Sequence, residues 1–281
     1  TMGRQGTGRT TEEENVTTNV YPEPVLPTET ALRPRLANSI MQFATRINWA
    51  EAELRGLRAI VRPGDSVIDI GAAHGMYTLP LAHLVGPTGR VESFEPHPRQ
   101  QRTLRFLRGL VGVSQVSVNA AAVGATTGER TMRLPLKLGF PIYGHAHITE
   151  GAAVHPTARV RQWNTMITSV DAWVKDQGID RVTFIKIDVE GFEPQVIEGA
   201  VATITNDHPS LLLEIEDRHL ARYGKDGNSF AESILARWPE YGMYVWQDDR
   251  WVAADEVVLG IRNYLFATED AFQTSRVTRS Q

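Results

Sequence analysis

Three stretches of the chain bring acids and glycines together at spacings that could do chemistry. The first is Asp69-Ile70-Gly71-Ala72-Ala73-His74-Gly75, which follows a short apolar run. Gly71 and Gly75 permit a tight turn and let a ligand approach the backbone with no Cβ in the way. The pattern is G-x-x-x-G, not the G-x-G-x-x-G that cradles a pyrophosphate, so an NAD-linked oxidoreductase lacks its phosphate-binding glycines. A turn this open suits an amino-acid moiety better. The second stretch is Val91-Glu92-Ser93-Phe94-Glu95-Pro96, whose Glu95 lies 24 residues after Gly71. An acid at that strand end can accept hydrogen bonds from both hydroxyls of a ribose. The third is Phe184-Ile185-Lys186-Ile187-Asp188-Val189-Glu190-Gly191. Alternate strand residues point the same way, which puts Lys186, Asp188 and Glu190 on one side. Three ionisable groups there are costly unless paired or used. Lys186 reads as structural, held by an acid deeper in the sheet, with Glu214 on the next strand as one partner. Asp188 and Glu190 read as reaching a ligand crevice.

The elements needed to hold these residues are legible as alternating apolar runs and helical stretches. Ser66–Ile70, Val91–Phe94, Val116–Asn119, Phe184–Asp188 and Leu211–Ile215 read as buried strands, with helices expected over Tyr77–Leu84, Pro98–Leu110 and Pro194–Ile204. Such alternation predicts a doubly wound α/β fold with a mostly parallel sheet. Met243–Gln247 and Asn263–Thr268 are expected to finish it antiparallel. Residues 125–168 break the rhythm and read as an irregular insertion. Ahead of the sheet, Leu36, Ile40, Phe43, Ile47, Ala50, Leu54, Leu57 and Val61 recur at helical spacing, one apolar stripe that Pro63-Gly64 ends. This divides the chain into a disordered tail over 1–30, a helical lead-in or lid over 31–62, one catalytic domain over 63–270 and a tail over 271–281. The stripe also makes a homodimer a reading to carry.

Composition removes several function classes. The 281 residues contain no cysteine, which excludes thiolate metal sites and Cys nucleophiles. A formal charge of −4 argues against a dedicated nucleic-acid binder. No apolar run approaches the ~18 residues a membrane span needs, and no secretory signal is visible, so a cytoplasmic location is expected. Of the 29 basic residues only Lys137, Lys175, Lys186 and Lys225 are lysines, a bias that fits a GC-rich bacterial genome. Arg99, Arg102, Arg105 and Arg108 recur at every third position, which spreads them over about half a helix circumference as a solvated face.

Together, Asp69-Ile70-Gly71-Ala72 with Gly75, Phe94-Glu95-Pro96, Ser169-Val170-Asp171 and the Lys186-Ile187-Asp188-Val189-Glu190-Gly191 run resemble the FkbM family of S-adenosylmethionine-dependent methyltransferases, over about Glu53 to Glu216. The resemblance implies a class I, Rossmann-like methyltransferase fold, a seven-stranded, mostly parallel sheet with its last strand antiparallel. It implies O-methylation of a small hydroxylated acceptor, a saccharide or a polyketide-like metabolite. It also implies that Asp69, Gly71, Ala72 and Gly75 line the methionine part of S-adenosylmethionine, that Glu95 holds the ribose, that Asn119 to Ala122, with Ala121 among them, lie beside the adenine, and that Asp188 sits near the methionine amine and the methyl. The chain departs from the family where Ala73 replaces the common Asn, leaving no side-chain amide there.

Methyl transfer to a hydroxyl needs alignment and a base. Asp188, Glu190, Glu214 and Glu216 are expected at converging strand ends, Glu214 and Glu216 as substrate contacts. His145 and His147 are alternative bases in a Gly- and aromatic-rich loop whose Tyr143 offers a face to a sugar ring; they read equally as solvated loop histidines. A metal site is not expected, although Mg²⁺ could use the acidic strand ends. A non-catalytic binding module would have no reason to keep Asp69, Glu95, Asp188 and Glu190 together. A nucleic-acid methyltransferase would be expected to show an N-P-P-Y-type run.

Overall fold

In the computed structural model, which describes residues 51–137, 140–141, 147–148 and 160–272, the chain builds two sheets. The strands in chain order are β1 (Ser66–Ile70), β2 (Arg90–Phe94), β3 (Val116–Asn119), β4 (Ala121–Val123), β5 (Gly128–Lys137), β6 (Phe140–Pro141) and β7 (His147–Ile148). They continue with β8 (Val160–Thr168), β9 (Phe184–Ile187), β10 (Ser210–Glu214), β11 (Gly242–Gln247), β12 (Arg250–Ala253) and β13 (Asn263–Ala267). The larger sheet runs β12-β11-β13-β10-β9-β1-β2-β3. Strands β3, β2, β1, β9 and β10 are parallel, and β13 joins antiparallel to β10. This is the doubly wound α/β class expected, with eight strands where seven were expected. The extra strand, β12, closes a hairpin with β11 through Asp248 and Asp249 at φ 50° and 60°. Two successive left-handed residues give the strands the twist a tight hairpin needs, but Asp-Asp is a weaker turn signal than Asn-Gly.

Strands β9 and β10 are buried along their whole length, and β1 from Val67 on, because both faces of the sheet are covered there. Ile68, Ile70, Ile185, Ile187, Leu211 and Leu213 pack with Val196, Ile197, Ile204, Phe230 and Ile234 from helices on one face. Val67, Val91, Phe184 and Leu212 pack on the other face with Leu54, Leu57, Ile60, Val61, Leu81 and Val85. The second core therefore includes the lead-in segment. Its described part, Ala52–Ala59, is a 3₁₀ helix rather than an α-helix. Leu54, Leu57 and Ile60 stand three apart, the spacing that aligns side chains at three residues per turn. Phe272 is buried in the same core, 6% exposed.

Two other expectations change. The helix expected over Pro194–Ile204 is two short helices, Glu193–Glu198 and Val201–Asp207. A Cβ at Gly199 would sit 2.0 Å from the Gly124 carbonyl oxygen, so the break occurs where two backbones touch. Residues 125–168, expected to be irregular, supply the long β5–β8 antiparallel pair. With β4, which pairs parallel to β8, this second sheet stands beside the carboxyl end of the first. Among the described residues no helix is long and apolar enough to cross a membrane.

Candidate active site

The chain runs from β1 outward to β2 and β3, then returns to the other side of β1 as β9. Such a reversal opens a crevice at the carboxyl ends of the flanking strands. At the end of β1, Gly71 takes φ 84°, and the Gly71 and Ala72 N–H groups both donate to the Phe94 carbonyl at 3.0 Å. A Cβ on Gly71 would lie 1.8 Å from the Asp188 carbonyl oxygen. The exits of β1 and β9 thus touch at the backbone, and only glycine allows it.

Glu95, immediately after β2, is 5% exposed. Its Oε2 accepts from the Ala73 N–H at 2.8 Å and its Oε1 from the His97 N–H at 2.6 Å. Burial pushes the carboxyl up to about 7, against the opposing pull of those two donors. A carboxylate has about four acceptor sites, so the two oxygens retain capacity for two hydroxyl donors. Ala73 holds its end of this contact in the left-handed region, φ 46°, where Asn is at ease and Ala is not. Alanine at this position therefore leaves a strained backbone.

A cavity of about 190 Å³ opens between these turns. Its polar wall carries Gly71, Ala73, Glu95, Asp188 and Glu190; its apolar wall carries Phe94, Ala121, Ala122, Val123, Met132 and Phe192. Met132 comes from the second sheet, as does Trp163, whose Nε1 donates to the Pro96 carbonyl at 3.3 Å and whose ring meets His97 edge-on. Sequence reasoning missed Met132 in the wall and Trp163 behind Pro96 and His97 because it read 125–168 as irregular; the signal available was the strand-length run on each side of the segment.

Strand β9 stops at Ile187, so Asp188 lies one residue past its end and Glu190 is not on the strand with Lys186 as expected. Glu190 lies in a turn at φ 58°, and Glu193 Oε1 fastens that turn by accepting from the Val189 N–H at 3.0 Å and the Gly191 N–H at 3.2 Å. This geometry turns Glu190 into the cavity, with its Oε2 3.1 Å from His219 Nδ1. Burial, reinforced by the Asp188 charge, raises Glu190 to about 8. The same two causes raise Glu214, at the end of β10, to about 9. Burial works to raise Glu216 too, but Arg218, His219 and Arg262 outweigh it and hold it below the usual range. Glu190, Glu214 and His219 each bring one potential ligand atom within 4.8 Å of the others.

Lys186, 1% exposed, donates from Nζ to Asn263 Oδ1 at 2.8 Å, lies 3.9 Å from Asp188 Oδ2 and stands 4.9 Å from the Tyr77 ring centre. Its hydrogen-bonding partner is an amide rather than the acid expected, and Asp188 is the nearby charge.

Of the residues expected from sequence, Gly71, Glu95, Ala121, Asp188 and Glu190 meet at the cavity. Asp69 lies beneath it, 1% exposed, accepting from Thr78 Oγ1 at 2.5 Å; burial lifts it to about 6 although that hydrogen bond pulls the other way. Ala72 and Gly75 are buried within the turn, Gly75 against Leu104, outside the lining. Glu214 and Glu216 both face Arg262 at 3.3 Å. His147 is on β7, its backbone opposite Arg133. Tyr143 and His145 lie outside the described residues. Asp171 of the Ser169-Val170-Asp171 motif accepts from the Ala202 and Thr203 N–H groups at 3.0 and 2.8 Å, fastening the start of the helix Val201–Asp207 away from the cavity lining.

No curated protein matches the chain. Among solved structures, methyltransferase FkbM from Methylobacillus flagellatus KT is similar at 16% identity and TM-score 0.46, over 83% of this chain and 59% of that one. The chain thus spans less than two thirds of that protein's length. Aeropyrum pernix fibrillarin with bound S-adenosyl-L-methionine is similar at 12% identity and TM-score 0.43, over 77% and 73% of the two chains. An O-methyltransferase from Bacillus cereus in complex with SAH is similar at 12% identity and TM-score 0.41, over 86% and 84%. The methyltransferase FkbM domain model matches residues 69–242, from the acid before the glycine turn to the first residue of β11. That match spans more than half of the chain, which therefore belongs to the FkbM methyltransferase family.

Proposed function

We propose that the chain is an S-adenosylmethionine-dependent O-methyltransferase acting on a hydroxyl of a small acceptor, a saccharide in first place. The observation that carries this reading is the cavity in which Glu95, the Gly71 turn and Asp188 converge beside an apolar wall. The donor set fits the cofactor. Glu95 has acceptor capacity for the ribose hydroxyls, Ala121 to Val123 with Phe94 and Met132 offer an apolar slot for the adenine, and Asp188 offers a carboxylate to the amine. When bound, the cofactor supplies a methyl group on a sulfonium centre. The protein's share of the work is alignment and charge management, since in-line transfer depends chiefly on placing the acceptor oxygen.

Glu190 is our choice for the group that takes the acceptor's proton. It lines the cavity, and its pKa near 8 lies close to neutral pH, where a carboxylate base is most effective. His219 Nδ1 stands 3.1 Å from its Oε2. Asp188 beside it keeps the site electrically negative as the proton arrives. His145 and His147 are the competing bases, and Tyr143, Glu214 and Glu216 the competing acceptor contacts. The test incubates the chain with S-adenosylmethionine and a panel of mono- and disaccharides, scored by a mass gain of one methylene unit. Methylation that Glu190→Gln abolishes and His145→Ala with His147→Ala leaves intact supports this assignment; the reverse pattern moves the base to the histidine loop.

A further inference from the structure

The helix Pro98–Val111 carries an outer face whose chemistry the candidate active site does not use. Gln100, Gln101 and Leu104 are its buried residues and define its inner side. At 3.6 residues per turn, Arg99, Arg102, Phe106 and Leu110 fall within an arc of about 80° on the opposite side. All four are exposed, Phe106 at 67% and Leu110 at 57%. Apolar residues exposed singly need no explanation. A Phe and a Leu four residues apart are neighbours on the helix surface, and here guanidiniums flank them.

Charge on this helix has one sign. Arg99, Arg102, Arg105 and Arg108 share its 14 residues with no Asp or Glu, in a chain whose formal charge is −4. Arg105 and Arg108 serve the fold: their Nη2 atoms donate to the Val118 and Ser114 carbonyls, both at 3.2 Å. Those carbonyls lie in and just before β3, the outermost strand on that side of the sheet, so the helix hinders strand addition there. Arg102 is held along the helix by its Nε bond to the Pro98 carbonyl at 3.1 Å. A single convex helix face also suits a folded protein partner poorly, since stable protein interfaces bury about 1,200–2,000 Å² with matched shape. A bilayer surface requires no such match. Interfacial helices combine Phe and Leu that enter the acyl boundary with cations at headgroup level, and anionic lipid attracts those cations.

We propose that the outer face of the helix Pro98–Val111 docks on a bilayer surface carrying anionic phospholipid, with Phe106 and Leu110 entering the acyl boundary and Arg99 and Arg102 at headgroup level. His97, the residue that caps this helix, and Gln100 in its first turn line the cavity of the candidate active site. The docking face and one wall of that cavity are thus built on the same helix, and docking holds the site at the lipid surface. The proposal stands apart from the methyl-transfer reading and does not depend on it.

The test sediments the whole chain with vesicles of phosphatidylcholine alone and with vesicles containing about one third phosphatidylglycerol. Cosedimentation is expected with the anionic vesicles and not with the neutral ones. It should weaken at least about tenfold when Phe106→Ser and Leu110→Ser are combined, and again when Arg99→Glu and Arg102→Glu are combined. All four residues are exposed, so both double variants should melt with the unaltered chain, which separates lost docking from lost folding. Binding to neither kind of vesicle, to both alike, or to anionic vesicles undiminished by the Phe106 and Leu110 changes overturns the proposal. Retention on a soluble polyanion such as RNA that anionic vesicles fail to displace also overturns it and gives the face to nucleic acid.

Discussion

Replacing Gly71 with alanine tests the touching exits of β1 and β9, and the structure supplies its own control. At Gly71 the backbone has φ 84° and a Cβ would stand 1.8 Å from the Asp188 carbonyl oxygen; at Gly112 φ is 78° and nothing lies within 4 Å of the added Cβ. Both alanine variants bear the left-handed strain of an L-residue, about 1–2 kcal/mol, or a few degrees in Tm for a domain of this size. Gly71→Ala must also drive the Asp188 carbonyl back to an ordinary contact of 3.4 Å or more, a retreat of about 1.6 Å. Displacements near 1 Å at a site can cost about a hundredfold in function. The assay pairs thermal unfolding with calorimetric titration of S-adenosylhomocysteine. Gly112→Ala should melt a few degrees lower and bind as the unaltered chain does. Gly71→Ala should melt lower still and lose at least about tenfold in affinity. Equal melting losses and equal affinities in the two variants would refute the argument that the Gly71 turn positions Asp188.

Three further expectations follow from the same contacts. With Glu95 raised to about 7 and its ionised form accepting the ribose hydroxyls, affinity for S-adenosylhomocysteine should rise up to about tenfold from pH 6 to pH 8, and Glu95→Ala should bind weakly with that rise removed; a rise that survives in Glu95→Ala assigns it to another group. Glu193 is raised by burial from 4.5 to about 7, so it contributes stability that is full below its unfolded value and lost as pH climbs through 7. Glu193→Gln keeps one oxygen for both the Val189 and Gly191 N–H groups, and should flatten the pH dependence of unfolding free energy between about pH 5 and pH 7 by up to about 1.4 kcal/mol per unit in denaturant titrations. Ala73→Asn relieves a left-handed alanine and should raise Tm by a few degrees with the Ala73 N–H contact to Glu95 kept; a lower Tm would show that the turn has no room for the amide.

The elements legible in the sequence were those whose residues carry both pattern and boundary. Strands β1 and β3 begin and end where the sequence places them, β1 because it is buried from Val67 to Ile70 and β3 because its valines alternate with Ser117 and Asn119 at the partly exposed edge of the sheet. Gly71, Glu95 and Asp188 were legible because strand ends in this fold point to a crevice whatever the ligand. What stayed hidden depends on distant contacts. Nothing local says that Gly199 must fit against Gly124, which divides one helix into two. Period-two reasoning carried Glu190 along the strand, whereas the Glu193 side chain closes a turn that swings it towards His219. The acceptor for Lys186 is Asn263, 77 residues away in sequence, a pairing set by β10 lying between their strands. The β5–β8 pair was missed because its two halves are separated by a long connection rather than a short hairpin turn.

The most direct test of the central claim is a crystal structure of the chain grown with S-adenosylhomocysteine. The account predicts ribose hydroxyls within hydrogen-bonding distance of Glu95, the amino group at Asp188, and the adenine against Ala121 to Val123. A nucleoside lodged elsewhere, with Glu95 bonded only to the Ala73 and His97 N–H groups, would contradict it.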